Sequence, residues 1–444
     1  MESPQKRSLG RLALAVLSTN VAVLAMNFLT GIIISRTLGV DGRGRLATLQ
    51  LWPMLISTTL SGGFNAAAIH FTAKNLGDKP RYVGGIIVLS LLIGLITMGL
   101  GIPMALYELP LRQTDLHILL VAFFTIPIGV TAELTSAAVN GMGRLDVGNR
   151  SRLLRVVCIL IVLAVLFLFK HITLASIFWA VWAPSWIAIL LNLKVLRDAD
   201  MLHWGDPKAT LKLWFPYAMA GFVSSMLQVI YLRCDQLFMT IYMADGQRGL
   251  YANAVMFAEL LLQVPNAIST VVFTNTSLQG QSNEDKLRAC ARLVRVGFAA
   301  VGVCGVLGIF LLPHIIYRVY GHEFVPSAQL FNLLLPGSLA LAVAAPLQVF
   351  YQGKNRPWTI IGPQLISITV TAIGLFFALR AKSLNGIAIT ASANYLAYTL
   401  GLLWHIRRDY GMKAIGALFP HPGMIRTGWN RLREILRRRL SFVG

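Results

Sequence analysis

Acidic residues are scarce in this chain of 444 residues: 18 aspartates and glutamates stand against 39 lysines and arginines, and charged residues of both signs reach only 13%. Soluble domains carry about a quarter of their residues as charges, so the shortage excludes a soluble fold. Cysteine is scarce as well. Cys158, Cys234, Cys290 and Cys304 are the only four, and all lie in apolar stretches or beside them, which argues against a disulfide framework. The usual enzyme signals are missing: there is no GxxxxGK phosphate loop, no HExxH metal motif, no nucleophile elbow and no Cys-x-x-Cys pair. No catalytic centre, metal or cofactor is therefore expected, and active transport would have to draw on an ion gradient or the membrane potential.

What the chain has instead is apolar length. Hydrophobic residues make up 56% and the mean hydropathy is +0.66. Apolar stretches run at about 12–35, 46–70, 83–106, 116–140, 153–169, 172–193, 213–243, 250–274, 289–312, 327–351, 358–379 and 384–404. A helix crosses a bilayer in roughly 20 residues, so the pattern predicts an all-α polytopic membrane protein with 12 transmembrane helices. Lysine and arginine concentrate in the N-terminal segment, in alternate loops and in the tail. Read as a topology signal rather than a nucleic-acid surface, that asymmetry puts both termini in the cytoplasm. The expected division is a cytoplasmic segment at 1–11, a six-helix bundle at 12–193, a cytoplasmic linker at 194–212, a second six-helix bundle at 213–404 and a basic tail at 405–444. In the tail, Ile425, Trp429, Leu432, Leu436 and Leu440 recur at helical spacing opposite arginines, the pattern of an amphipathic helix on an anionic leaflet.

The two bundles look like copies of one unit. LGVDGRGRLAT (38–48) is similar to MADGQRGLYAN (243–253), with Gly44 falling on Gly249 and Ala47 on Ala252; NGMGR (140–144) is similar to QGKNR (352–356). Because each copy has an even number of helices, both face the same way, and a binding site is expected between them near the midplane.

SRTLGVDGRG at the end of the first span, SGGFNAAAIHFTAKN in the second, and Asp235 followed by GQRGLYANA around the seventh resemble the polysaccharide (oligosaccharide) flippases. That family shares a superfamily with multidrug extruders and peptidoglycan-precursor flippases. The resemblance implies two parallel-oriented six-helix bundles in a V shape, in a bacterial inner membrane. It also implies movement of polyprenyl-pyrophosphate-linked glycans from the inner to the outer leaflet.

Ionisable groups inside spans are functional candidates because insertion costs several kcal/mol each. Four stand out: Glu133, Arg233, Asp235 and Glu259. Ser61 and Asn65 share a face of the second span, and the repeat offset maps them onto Asn266 and Thr270, which continue a stripe from Glu259 and Gln263. Such stripes look inward, either at partner helices or at water. Expected substrate contacts are Arg233, Arg36, Asn65, Gln263 and Asn266. Arg36, at the end of the first span, also suits snorkelling to the interface. Arg233 suits a phosphate or an ion pair with Glu259 or Glu133. Asp235, Glu259 and Glu133 are candidates for proton or sodium coupling, with Glu133 equally suited to packing. His70, near the end of the second span, is the one histidine singled out. The alternative functions are a multidrug extruder of the same fold or a peptidoglycan-precursor flippase. A membrane glycosyltransferase ranks lower because no outer loop is long enough to hold donor and acceptor.

Overall fold

The computed structural model describes residues 4–73, 79–107, 116–142, 144–201, 206–277, 282–354, 356, 358–416 and 418. From residue 419 the basic tail lies outside the described residues, and so does the side chain of His70. Among the described residues every regular element is helical. The first helix, α1 (Pro4–Ala73), is two membrane-crossing arms joined at Gly39, whose φ of 67° favours a residue without Cβ. There follow α2 (Lys79–Tyr107), α3 (Leu116–Gly141), α4 (Leu145–Leu168), α5 (Leu174–Asp198) and α6 (Pro207–Tyr242). The eighth crossing is broken into α7 (Asp245–Leu261) and α8 (Gln263–Ser277), and then come α9 (Asn283–Val319), α10 (Pro326–Gly353), α11 (Trp358–Arg380), α12 (Leu384–Tyr410) and the short α13 (Met412–Gly416).

Eight of these helices are each long and apolar enough to cross a membrane, and the bent α6 makes a ninth. The second arm of α1, the partly described α2 and the broken α7–α8 pair complete twelve. The break at Leu262 has a plain cause. Pro265 has no N–H to offer the carbonyl of Leu261 and its ring crowds that carbonyl, so Leu262 closes a tighter turn onto Glu259 O at 3.1 Å.

The outward faces are apolar: Val303, Phe310 and Phe377 are each more than 60% exposed, which only a lipid environment tolerates on this scale. Inside, each bundle has its own core. Leu46, Leu134, Leu163 and Ile177 anchor the first, and Ala254, Ile316, Val294 and Phe350 anchor the second. Hydroxyls buried in helices bond back to their own backbone, as Thr131 does to Pro127 O at 2.7 Å and Thr135 to Thr131 O at 2.7 Å. These bonds satisfy the hydroxyls where hydrocarbon offers no partner.

The repeated glycine segments meet each other. A Cβ on Gly44 would stand 2.7 Å from the carbonyl carbon of Asp245 and 3.0 Å from the Gly249 nitrogen, and one on Gly249 would stand 3.1 Å from the Gly44 nitrogen. Two backbones thus touch where each copy lacks a side chain. Arg45 Nε reaches Asp245 at 2.9 Å, and Arg248 donates to Thr48 at 2.6 Å as well as pairing with Asp245. Phe28 of the first arm packs edgewise on Phe257 and Tyr320. This seam closes the bundles together on the side away from the N-terminus. Toward the N-terminal side, Phe71 stacks on Trp214 at 5.8 Å, while α8 turns away to pack on α9 and α10.

Candidate functional site

The polar stripes do not face one shared crevice between the copies, as the sequence suggested. Each lines a cavity of its own bundle. The N-terminal cavity, about 370 Å³, is walled by the second arm of α1, α3, α4 and α5; the C-terminal one, about 320 Å³, by α6, the α7–α8 break, α10 and α12. The second, fourth and sixth crossings of each copy supply walls in both, so the pair follows the repeat.

In the N-terminal cavity Glu133 accepts the Ser61 hydroxyl at 2.7 Å and the Asn65 amide at 3.4 Å. Asn140, Arg152, Arg155 and Asn192 line the same space. Position along the helices sets its depth. Asn65 is near the end of the second arm, Asn140 ends α3, Arg152 is two turns into α4 and Asn192 is near the end of α5. All four positions lie toward the N-terminal side of the membrane.

The C-terminal cavity lies at mid-depth. Arg233 and Glu259 form an ion pair there at 2.6 Å, with side chains 23% and 45% exposed, so of the partners open to Arg233 the structure supplies Glu259. Gln263 and Asn266 sit exposed at the helix break and line the same space. Opposite them, Tyr398 donates to Gln348 at 2.9 Å, Gln348 contacts Gln228 at 3.5 Å, and Tyr231 and Tyr398 stack at 4.8 Å between centroids. The wall is therefore amides and phenols around one compensated ion pair.

Two candidates lie elsewhere. Asp235 is 5% exposed and accepts the Tyr251 hydroxyl and the Gln236 backbone N–H, in the packing between α6 and α7. Neither cavity includes it among its lining residues. Arg36 donates to the Arg318 carbonyl at 2.8 Å, so it caps the C-terminal end of α9, where a cation is favoured. The side chain of Thr270 lies outside the described residues. Sequence reasoning passed over Arg152 and Arg155, and it passed over the tyrosines 231, 395 and 398 on the C-terminal wall.

Two polar-lined cavities sit inside two apolar-skinned bundles, and comparisons with solved structures show a known fold. The chain is similar to an inward-facing multidrug resistance MATE family transporter of the MOP superfamily, with a TM-score of 0.71 at 15% identity, covering 90% of this chain and 99% of that one. It is similar to the Lipid II flippase MurJ in an inward closed conformation, with a TM-score of 0.69 at 16% identity over 91% and 90% of the two chains. A MOP superfamily transporter from Pyrococcus furiosus, whose binding pocket is described as having reverse polarity, aligns at a TM-score of 0.68 and 12% identity over 90% and 96%. The shared fold is twelve helices in two six-helix bundles set as a V. No curated protein matches by sequence. A family model does: residues 9–273 match the polysaccharide biosynthesis protein family, and the chain belongs to that family.

Proposed function

We propose that the protein is a flippase that carries polyprenyl-pyrophosphate-linked oligosaccharides, precursors of a cell-surface polysaccharide, from the inner to the outer leaflet by alternating access. The reading places it in a bacterial inner membrane with both termini in the cytoplasm, and it assigns no catalytic chemistry.

The observation that carries the proposal is the C-terminal cavity. Each sugar hydroxyl drawn through hydrocarbon without a partner costs a few kcal/mol, so a glycan needs a polar path. Gln228, Gln263, Asn266 and Gln348 offer paired donors and acceptors, and Tyr395 offers a flat face to the sugar ring. A drug extruder would instead hold an uncompensated acid for a cation, whereas Glu259 here is matched by Arg233. The membrane potential assists the export of a doubly negative pyrophosphate by about 4 to 5 kcal/mol per 100 mV, at 2.3 per charge. Coupling to protons or sodium through Glu259 or Glu133, which line the cavities as Asp235 does not, is an addition to that drive rather than a requirement.

The test is leaflet exchange in proteoliposomes loaded with fluorescent polyprenyl-pyrophosphate oligosaccharides. Exchange well above that of protein-free vesicles is expected. Expulsion of cationic dyes with no movement of the sugar lipid would transfer the protein to the drug-extruder reading.

A further inference from the structure

The two cavities differ in charge, and the difference suggests a division of labour. The ionisable groups lining the C-terminal cavity include a cation and an acid in direct contact, Arg233 and Glu259. Among the described residues, those lining the N-terminal cavity are Arg152, Arg155 and Glu133. Three to a turn, Arg152 and Arg155 lie on one face of α4, and Arg155 feels both Arg152 and Glu133. Glu133 already uses an oxygen to accept from Ser61 and Asn65.

The same cavity holds polar atoms with nothing to bond. Asn192 is 1% exposed and its Nδ2 donates to Thr135 at 3.4 Å, but its Oδ1 has no partner. Arg155 Nε and Asn65 Oδ1 are likewise buried and unpartnered. An unpartnered guanidinium nitrogen within a membrane-spanning bundle is costly, and helix packing alone gives no reason to keep it beside a second arginine. A ligand that brings acceptor oxygens removes the cost. Depth points the same way: the cavity lies toward the N-terminal side, where a lipid headgroup of the adjacent leaflet would enter.

We infer that the N-terminal cavity is a pyrophosphate site, with Arg152 and Arg155 binding the phosphate oxygens and Asn192 and Asn65 ordering the water or hydroxyl groups around them. The inference rests on the flippase reading and refines it: the anion goes to the first bundle, and the neutral glycan to the second. Arg233, already paired with Glu259, is thereby released from the phosphate role.

Binding of sugar-free polyprenyl pyrophosphate to the full-length protein in nanodiscs tests this, with free inorganic pyrophosphate as competitor. Arg155→Gln and Arg152→Gln should each weaken lipid binding roughly tenfold or more. Gly362→Ala, on α11 and lining neither cavity, should leave it within about twofold. Ser136→Asp keeps both arginines and adds a negative charge to the same wall, so it should weaken binding even if the arginine variants fold poorly. Competition by free pyrophosphate that is lost in the variants would identify the anion alone as the ligand. Arginine-dependent lipid binding without such competition would identify the lipid-linked headgroup. Wild-type binding that survives unchanged in Arg155→Gln and Ser136→Asp would overturn this site and leave the flippase intact. No wild-type binding and no leaflet exchange of any sugar lipid would remove both.

Discussion

The sharpest consequence of the seam is what a single methyl group should do to it. In Gly44→Ala the new carbon would lie 2.7 Å from the Asp245 carbonyl carbon, and ordinary contact begins near 3.4 Å. The backbones must part by at least about 0.7 Å, the difference of those two distances, and by more to clear the carbonyl oxygen. Backbone cannot swing aside as a side chain does. Parting loosens the hydrogen bond from Arg248 to Thr48 and the exposed Arg45–Asp245 pair. A hydrogen bond from a charged donor contributes about 1.5–3 kcal/mol and an exposed pair about 0–1. Closure of this side should therefore weaken by about 2–3 kcal/mol, a roughly thirty- to 150-fold shift in the population ratio. Each bundle keeps its own core, so the variant should fold. Spin labels at Lys170 and Lys382, exposed turns of the two bundles on the seam side, in a cysteine-free background, would report the change as a longer distance population. Gly362→Ala, where a Cβ meets nothing within 4 Å, is the matched control. A distance distribution unchanged by Gly44→Ala would refute the claim that this glycine contact holds the bundles together.

Arg233→Ala should abolish transport at near-normal protein levels, because it strips the partner from Glu259. With side chains 23% and 45% exposed, the pair is partly screened, so stability should fall by only about 1–2 kcal/mol; combining it with Glu259→Gln should recover part of that loss in a thermal melt, and full transport in Arg233→Ala would remove it from the site. Arg36→Ala should cost about 1 kcal/mol of stability through the lost bond to Arg318 O and leave sugar-lipid binding intact in nanodisc titrations. A selective loss of that binding would return Arg36 to the substrate. Glu259→Gln should change the sodium or proton dependence of leaflet exchange, whereas Asp235→Asn, buried against Tyr251, should lower thermal stability and leave the ion profile as it was; the opposite pattern would make Asp235 the coupling acid.

The membrane architecture was legible because bilayer thickness fixes span length, which survives errors at helix ends. The break near Glu259 follows from Pro265, which disrupts a helix whatever surrounds it. The contact between Gly44 and Gly249 was visible only as a recurrence. A repeat says that two segments play the same part, and nothing in it says that they touch. The site was read less completely, for two physical reasons. Arg152 and Arg155 lie near the entry of a span, where basic residues are ordinarily topology signals, so their inward direction was hidden. Asp235 stood out as a charge in a span, yet its partner is Tyr251, sixteen residues on, across a turn that no helical period describes.

The seam and the cavities together constrain how the bundles can work. The contacts that join the copies on the side away from the N-terminus are backbone against backbone at Gly44 and Gly249, a few polar bonds around them, and the packing of Phe28 on Phe257 and Tyr320. Bonds of that kind contribute a few kcal/mol in all, which is on the scale that binding one charged headgroup can offset. The cores lie mostly within the bundles, but Trp214 and Ala218 of α6 join the first, and Phe28, Ile32 and Val40 of α1 pack on the second. The close approach explains the glycines: a side chain at either position would hold the copies apart. On the proposed flippase reading, a seam of this kind would close tightly and still release between two bundles that each hold part of the cargo.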